Sequence, residues 1–201
     1  MNVGLFLTNS ASIQRPLRRL QRRFRARRMK AFLHYFSVTP DTRILDVGGI
    51  NSTSNHPGVV LMWNDIRAQV TTFNIREPAD VIGDARNMPL DSGSFDVAFC
   101  NSLIEHIGAE SDQRKCASEI RRVARSYYIQ CPNRWFPLEV HWPIPLPLLH
   151  WLPRKWFNPS PDSSSLRLLS AKELHSMFPE AVIWRERFFG FTKSIIAVYR
   201  P

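Results

Sequence analysis

Four short stretches of this chain bring polar residues to the ends of apolar runs. The first is Ile44-Leu45-Asp46-Val47-Gly48-Gly49, a hydrophobic run carrying an acid and closing on two glycines. Glycine lets a backbone turn sharply and approach a bound group closely, because no Cβ intervenes. The second is Phe73-Asn74, where an amide that can donate and accept without charge ends a β-branched run. The third is Gly83-Asp84-Ala85. A carboxylate there can accept from an adenine amino group while a neighbouring backbone N–H meets a ring nitrogen. The fourth runs from Phe95 to Ser102 and on through Leu103-Ile104-Glu105-His106-Ile107. It delivers Asn101 and Ser102 where a buried run opens, with Glu105 and His106 on the turn beyond. Each stretch also has a plain structural reading: a tight turn, a strand-ending Asn, a capping Asp, a packed or surface His.

The elements that would position these residues follow from periodicity. Strands are expected at Arg43–Val47, Gln69–Asn74, Asp80–Ile82, Ser94–Cys100, Tyr127–Gln130, Ala181–Phe188 and Ser194–Arg200, the last two forming an antiparallel hairpin around Gly190. Helices are expected over Ser12–Phe36, over Ser111–Arg125 with Cys116, Ile120 and Val123 inward, and from the capping box Ser170/Glu173 to a point before Pro179. Ile13, Leu17, Leu20, Phe24, Ala31 and Tyr35 give the first helix its expected apolar stripe. Strands alternating with helical connections predict an α/β fold: a Rossmann-like open, mostly parallel seven-stranded sheet, helices on both faces and a final antiparallel strand. In such sheets ligands bind beyond the carboxyl ends of the strands, where all four stretches end.

Charge is unevenly spread. Of 27 basic and 17 acidic residues, nine basic and no acidic ones fall in residues 1–40, leaving 18 basic and 17 acidic over 41–201. The body is near neutral, which argues against a wholly basic nucleic-acid-binding domain. The expected organisation is a basic arm and helix over 1–40, its first eleven residues without order, and one catalytic-type domain over 41–201. Residues 132–161 hold eight of the 15 prolines and four of the six tryptophans, so a Pro/Trp-rich insertion is expected at about 132–165. Trp135, Glu139 and His141 on it are candidates for lining a substrate. Three cysteines, Cys100, Cys116 and Cys131, match no metal-ligand spacing and no disulfide framework; reduced thiols, a cytoplasmic setting and no metal are expected. The arm suits a solvated packed helix, an anionic membrane surface or, less favoured, nucleic acid.

The strings ILDVGG, VIGDARNMPLDSGSFDVAFCNSLIEHIG and EIRRVARSYYIQCPN, continuing into KELHSMFPEAVIWRERFFGFTKSIIAVYR, closely resemble the class I S-adenosylmethionine-dependent methyltransferases of the type 11 group over about 150 residues. The resemblance implies methyl transfer from S-adenosyl-L-methionine to a small-molecule acceptor, with a hydrophobic or lipid-like one suggested by the Trp-rich segment. It implies that Asp46, Gly48 and Gly49 hold the methionine end, Asn74 takes the ribose position, Asp84 with Ala85 holds the adenine, and Asn101 lies beside the methionine and its methyl. Glu105 and His106 are the candidates for a base. The chain departs from the family pattern at Ile50, where a further Gly is expected, at Asn74, where Asp or Glu is usual, and at Pro57 and Gly58, which shorten or remove the usual long first helix. A non-catalytic scaffold of the same fold is the alternative. A nicotinamide-dependent oxidoreductase is disfavoured, because no G-x-G-x-x-G follows the first strand.

Overall fold

The structure is a computed structural model and describes residues 11–50, 63, 68–137 and 166–201, with the side chains of the first helix described from Arg23 on. By its internal contacts the chain divides into two compact units: Met1–Ser37 with Pro137–Ser163, and Val38–Phe136 with Ser164–Pro201.

In the first unit, α1 spans Ala11–Phe36. Its described inward stripe is Met29, Phe32 and Phe36, with Phe32 and Phe36 rings 5.1 Å apart. The expected stripe through Phe24, Ala31 and Tyr35 is corrected by one position, because the bulkier Met29, Phe32 and Phe36 also recur at spacings of three and four. Arg28 is buried on the same side, while Arg23, Arg27 and Lys30 are exposed. Ile13, Leu17 and Leu20 lie outside the described side chains, as residues 1–10 lie outside the described structure.

The second unit is built on a seven-stranded sheet of β1 (Arg43–Val47), β2 (Gln69–Asn74), β3 (Val81–Ile82), β4 (Phe95–Asn101), β5 (Ala124–Pro132), β6 (Val182–Phe188) and β7 (Phe191–Tyr199). The order is β3-β2-β1-β4-β5-β7-β6, with β7 antiparallel to both its neighbours and the other pairs parallel. The chain winds outward from β1 to β3 and returns to β4 on the other side of β1. That reversal opens a crevice at the carboxyl ends of β1 and β4, where open α/β sheets bind ligands.

Alternation along the strands makes two apolar faces. One face joins Leu45, Val47, Phe73, Ala98, Cys100 and Ile129 to Cys116, Ala117 and Ile120 of α2 (Glu110–Val123) and to Leu174 and Met177 of α3 (Ala171–Met177). The other carries a file of rings: Trp63 meets Phe99 edge-on at 5.1 Å, Phe99 stacks on Tyr128 at 5.6 Å, and Tyr128 meets Trp184 at 6.4 Å. α3 opens on the expected capping box, Ser170 accepting from the Glu173 N–H and Glu173 accepting from the Ser170 N–H.

Boundaries differ most from expectation at two places. α2 stops at Val123, two residues early, and β5 starts at once. Ala124 is already extended (φ −127°, ψ 145°), and Ala124 and Ser126 are buried about an exposed Arg125. That period of two outweighs the helical preference of Ala and Arg. β7 begins at Phe191, three residues early, because Phe189 and Gly190 both take positive φ (47° and 82°) and close a two-residue hairpin. Among the described residues no helix is long and apolar enough to cross a membrane.

Candidate active site

β1 carries Asp46 into the crevice and ends in a turn that only glycine fits. Gly48 sits at φ 88°, and its N–H donates to the Phe73 carbonyl at 2.8 Å. A Cβ on Gly48 would lie 3.1 Å from Leu103, and one on Gly49 would lie 2.4 Å from Asp46 Oδ2. Leu103 beyond β4 and the Asp46 carboxylate thus press on the turn from two sides. The carboxylate is 7% exposed and accepts from Trp63 Nε1 at 2.7 Å. Burial pushes the Asp46 carboxyl up to about 6, with the indole bond pulling the other way.

β2 supplies the third support. Asn74 Nδ2 donates to the carbonyls of Gly48 (3.2 Å) and Gly49 (3.1 Å), and Asn74 Oδ1 accepts from the Arg76 N–H at 3.4 Å. Both amide donors are therefore engaged inside the protein, and Oδ1 retains capacity to accept. Gly83, after β3, donates to the Asn74 carbonyl at 2.9 Å; a Cβ there would press on Phe73 at 3.0 Å and Pro89 at 3.1 Å. Ala85 is buried. Asp84 is gripped by Arg86: Nη2 to Oδ2 at 2.6 Å, Nε to Oδ1 and Oδ2 at 3.0 and 2.9 Å, and the Arg86 N–H to Oδ1 at 2.9 Å. The Arg86 guanidinium holds the Asp84 carboxyl below the usual carboxylate range.

β4 ends at Asn101, paired in register with Gln130 of β5. Asn101 Oδ1 is buried and has no hydrogen-bond partner among the described residues. Ser102 takes φ 60°, a left-handed conformation uncommon outside glycine, and is held there by Gln130: the Ser102 N–H donates to the Gln130 carbonyl at 2.9 Å and Ser102 Oγ to Gln130 Oε1 at 3.0 Å. The following 3-10 turn, Ile104–His106, separates the two base candidates. Glu105 is 0% exposed on the inner side, and His106 is exposed. Burial, before any neighbouring charge, pushes the Cys100 and Cys131 thiols up, Glu105 adding to both, and burial pushes Cys116 up to about 12. None of the three thiols is poised as a thiolate nucleophile.

Asp46, Gly48, Gly49 and Asn74 are thus brought together by direct contacts, and Leu103 packs the Asn101 loop against the same turn. Trp135 stands 57% exposed at the carboxyl end of β5, with the Arg134 guanidinium 5.6 Å from its ring centre. Glu139, His141, Pro57 and Gly58 lie outside the described residues, as does most of the expected insertion. Three supporting residues escape a reading of sequence alone. Trp63 is the indole on Asp46, Gln130 fixes Ser102, and Gln113 donates to the Ile104 and Arg167 carbonyls at 2.9 Å each, bracing the turn under Glu105. The signal available for the two glutamines was an amide within an apolar pattern. Among the described residues no group of three or more His, Cys, Asp or Glu could hold a metal ion.

S-adenosylmethionine offers an ammonium, two ribose hydroxyls and an adenine edge. The buried, unpartnered Asn101 Oδ1 and the side-chain-free turn at Gly48–Gly49 fit its amino-acid end, and Asn74 Oδ1 can accept from a hydroxyl. At Asp84, where the resemblance places the adenine, most of the carboxylate is already engaged by Arg86.

Residues 59–127 match the family model described as a methyltransferase domain. Two uncharacterized mycobacterial proteins, Rv1509 and MT1557 of Mycobacterium tuberculosis strains H37Rv and CDC 1551, are 39% identical to this chain over 51 residues, 25% of this chain and 17% of theirs. The chain thus spans about a sixth of the length of the curated relatives it matches. In fold it is similar to a SAM-dependent methyltransferase from Methanosarcina mazei (TM-score 0.57, 13% identity, covering 83% of this chain and 94% of that one). It is also similar to the PH0226 protein from Pyrococcus horikoshii (TM-score 0.55, 16% identity, 96% and 92%). Residues 59–127 are thus similar in sequence to a methyltransferase domain, and the seven-stranded sheet with its strand order is the fold this chain shares with those solved structures.

Proposed function

We propose that this chain moves the methyl group of S-adenosylmethionine onto a small hydrophobic or lipid-like acceptor. Asp46, Gly48, Gly49 and Asn101 take the amino-acid end of the cofactor, Asn74 a ribose hydroxyl, and Asp84 with Ala85 the adenine edge. The observation that carries this reading is the buried Asn101 Oδ1, an acceptor without a partner among the described residues at the mouth of the crevice. A buried acceptor left unmet costs about 1–3 kcal/mol, and an ammonium donor removes that cost. Ionised Asp46 supplies the matching charge.

The bound sulfonium supplies an already activated methyl group, so the protein's task is alignment and exclusion of water. The Gly48–Gly49 turn, pinned by Asn74 and Leu103, keeps side chains out of the cofactor's path. Trp63 covers one oxygen of Asp46 and aims the other. His106 is the exposed base candidate for an acceptor that must lose a proton; Glu105, buried beneath it, bears on the turn rather than the acceptor. Trp135, at the carboxyl end of β5, offers an aromatic wall for an apolar acceptor.

The grip of Arg86 on Asp84 bears on how tightly the adenine edge is held, and the alternative reading is a cofactor-binding protein without turnover. Calorimetry with S-adenosylmethionine, S-adenosylhomocysteine and NAD tests both readings. Binding of the first two and not the third is expected, together with methyl transfer from labelled cofactor into the lipid-soluble fraction of a metabolite extract. Binding without labelled product would leave the non-catalytic reading. Binding of NAD in place of both would overturn the proposal.

A further inference from the structure

Among the described residues six large apolar side chains are exposed, and five of them (Ile75, Ile82, Trp135, Phe189 and Phe191) lie at the carboxyl edge of the sheet. Three are gathered at one end of that edge. The β6–β7 turn places Phe189 at φ 47°, a conformation that Asn-Gly turns adopt easily and a bulky residue adopts only at a steric cost. Its ring is 86% exposed and meets Phe188 edge-on at 4.5 Å. Phe191, beyond Gly190, is 57% exposed. The turn after β5 is tied to this hairpin, because Asn133 donates from its N–H to the Lys193 carbonyl at 3.0 Å and from Nδ2 to the Thr192 carbonyl at 2.8 Å. Trp135 therefore stands on the same rim as Phe189 and Phe191.

Among the described residues the exposed charge beside this rim is mainly positive, with Arg134 also paired to Glu173 at 3.8 Å. Arg134 lies over the Trp135 ring, and Arg185 and Arg187 are exposed on the edge strand β6. The acid of the hairpin, Glu186, is 8% exposed in its side chain and paired with Lys193 at 3.5 Å. Exposed aromatics flanked by cations match the headgroup layer of an anionic bilayer, where rings settle at the interface and cations meet phosphates. The strained phenylalanine points the same way: the turn would form more easily with asparagine, so the ring has a use outside the fold.

We infer that the rim of Phe189, Phe191 and Trp135 inserts into the interface of an anionic bilayer. The carboxyl edge of the sheet then faces lipid, and the acceptor reaches Asn101 and His106 from the membrane. This last step rests on the proposed methyl transfer; the membrane contact itself does not.

The test uses the full chain and the variant Phe189→Asn/Phe191→Ser. Asparagine suits the left-handed position, so the variant should melt at or above the wild-type temperature and bind S-adenosylmethionine unchanged. Sedimentation with phosphatidylglycerol–phosphatidylcholine vesicles should show the wild type pelleting and the variant weakened about tenfold or more. Equal pelleting of variant and wild type, or none of the wild type, overturns the inference. So does concentration-dependent self-association that the variant abolishes, which would assign the rim to a second copy of the chain. Failure of cofactor binding in calorimetry would remove the proposed function and leave the vesicle result standing.

Discussion

Asn74, which stands at the proposed ribose position, also supports the fold. Its two amide donors are engaged by the Gly48 and Gly49 carbonyls. A carboxylate in that place has no donors and faces two carbonyl oxygens. Asn74→Asp should therefore lower stability by about 1–3 kcal/mol, a melting-temperature loss of several degrees, even though a carboxylate would receive ribose hydroxyls better. Thermal melting with and without cofactor separates the effects: the apo temperature falls, while any gain in ribose binding enlarges the ligand-induced shift. Asp84 gives the converse case. Asp84→Ala should weaken S-adenosylmethionine, and Arg86→Ala, by releasing the carboxylate, should tighten it. Calorimetry on the two variants reads opposite signs if Asp84 meets adenine.

Asp46 ties stability to pH through its raised carboxyl. Burial lifts it from 3.8 to about 6, so the folded protein holds a proton there that the unfolded chain releases. Stability from this group is full below 3.8 and is lost as pH rises through 6, by up to about 3 kcal/mol for a rise of some two units. Asp46→Asn keeps an oxygen for the Trp63 indole and removes the buried charge. It should raise the melting temperature at pH 8, change it little near pH 4, and weaken cofactor binding chiefly at pH 8, where the carboxylate is ionised. A melting temperature unchanged at pH 8 would show that Asp46 is not the group carrying this penalty.

At the scale of elements, these strand ends were legible because each couples an apolar run to a residue with a turn's own chemistry: Gly48–Gly49 and Gly83–Asp84. The capping box of α3 was legible for the same reason, since Ser170 and Glu173 satisfy each other within one turn. Ser170→Ala should cost about 1 kcal/mol, measured as a shift in denaturant midpoint with unchanged slope. Boundaries set by neighbours were not legible. β5 begins at Ala124 because β4 offers a partner there, with Phe95 opposite Ala124. The site's cross-links share that limit. Trp63 reaches Asp46 across 17 residues and Gln130 reaches Ser102 across 28, and no local pattern encodes either. The role of Glu105 depended on which side of a single 3-10 turn it would face, which packing against Cys100 and Cys131 decides.

At the scale of the whole molecule, the basic arm and the aromatic rim make separable demands on a membrane. Nine cations and no acid lie in residues 1–40, but the described half of α1 buries Met29, Phe32, Phe36 and Arg28. Burial, with Arg28 adding to it, also lowers Arg25 from its ordinary value. Among the described side chains of α1 the exposed cations are Arg23, Arg27 and Lys30. Each contributes about 1 kcal/mol near an anionic surface, screened over about 8 Å at physiological salt. Apolar insertion of Phe189 and Phe191 is not screened. Vesicle binding should therefore fall in two stages. Raising salt from about 0.1 to 1 M removes the arm's share as the Debye length shrinks to about 3 Å, and leaves a plateau carried by the rim. In the Phe189→Asn/Phe191→Ser variant that plateau should vanish while the salt-sensitive part persists. Binding that falls to nothing with salt in the wild type would leave the arm as the sole membrane contact and assign the rim's exposed rings no part in it.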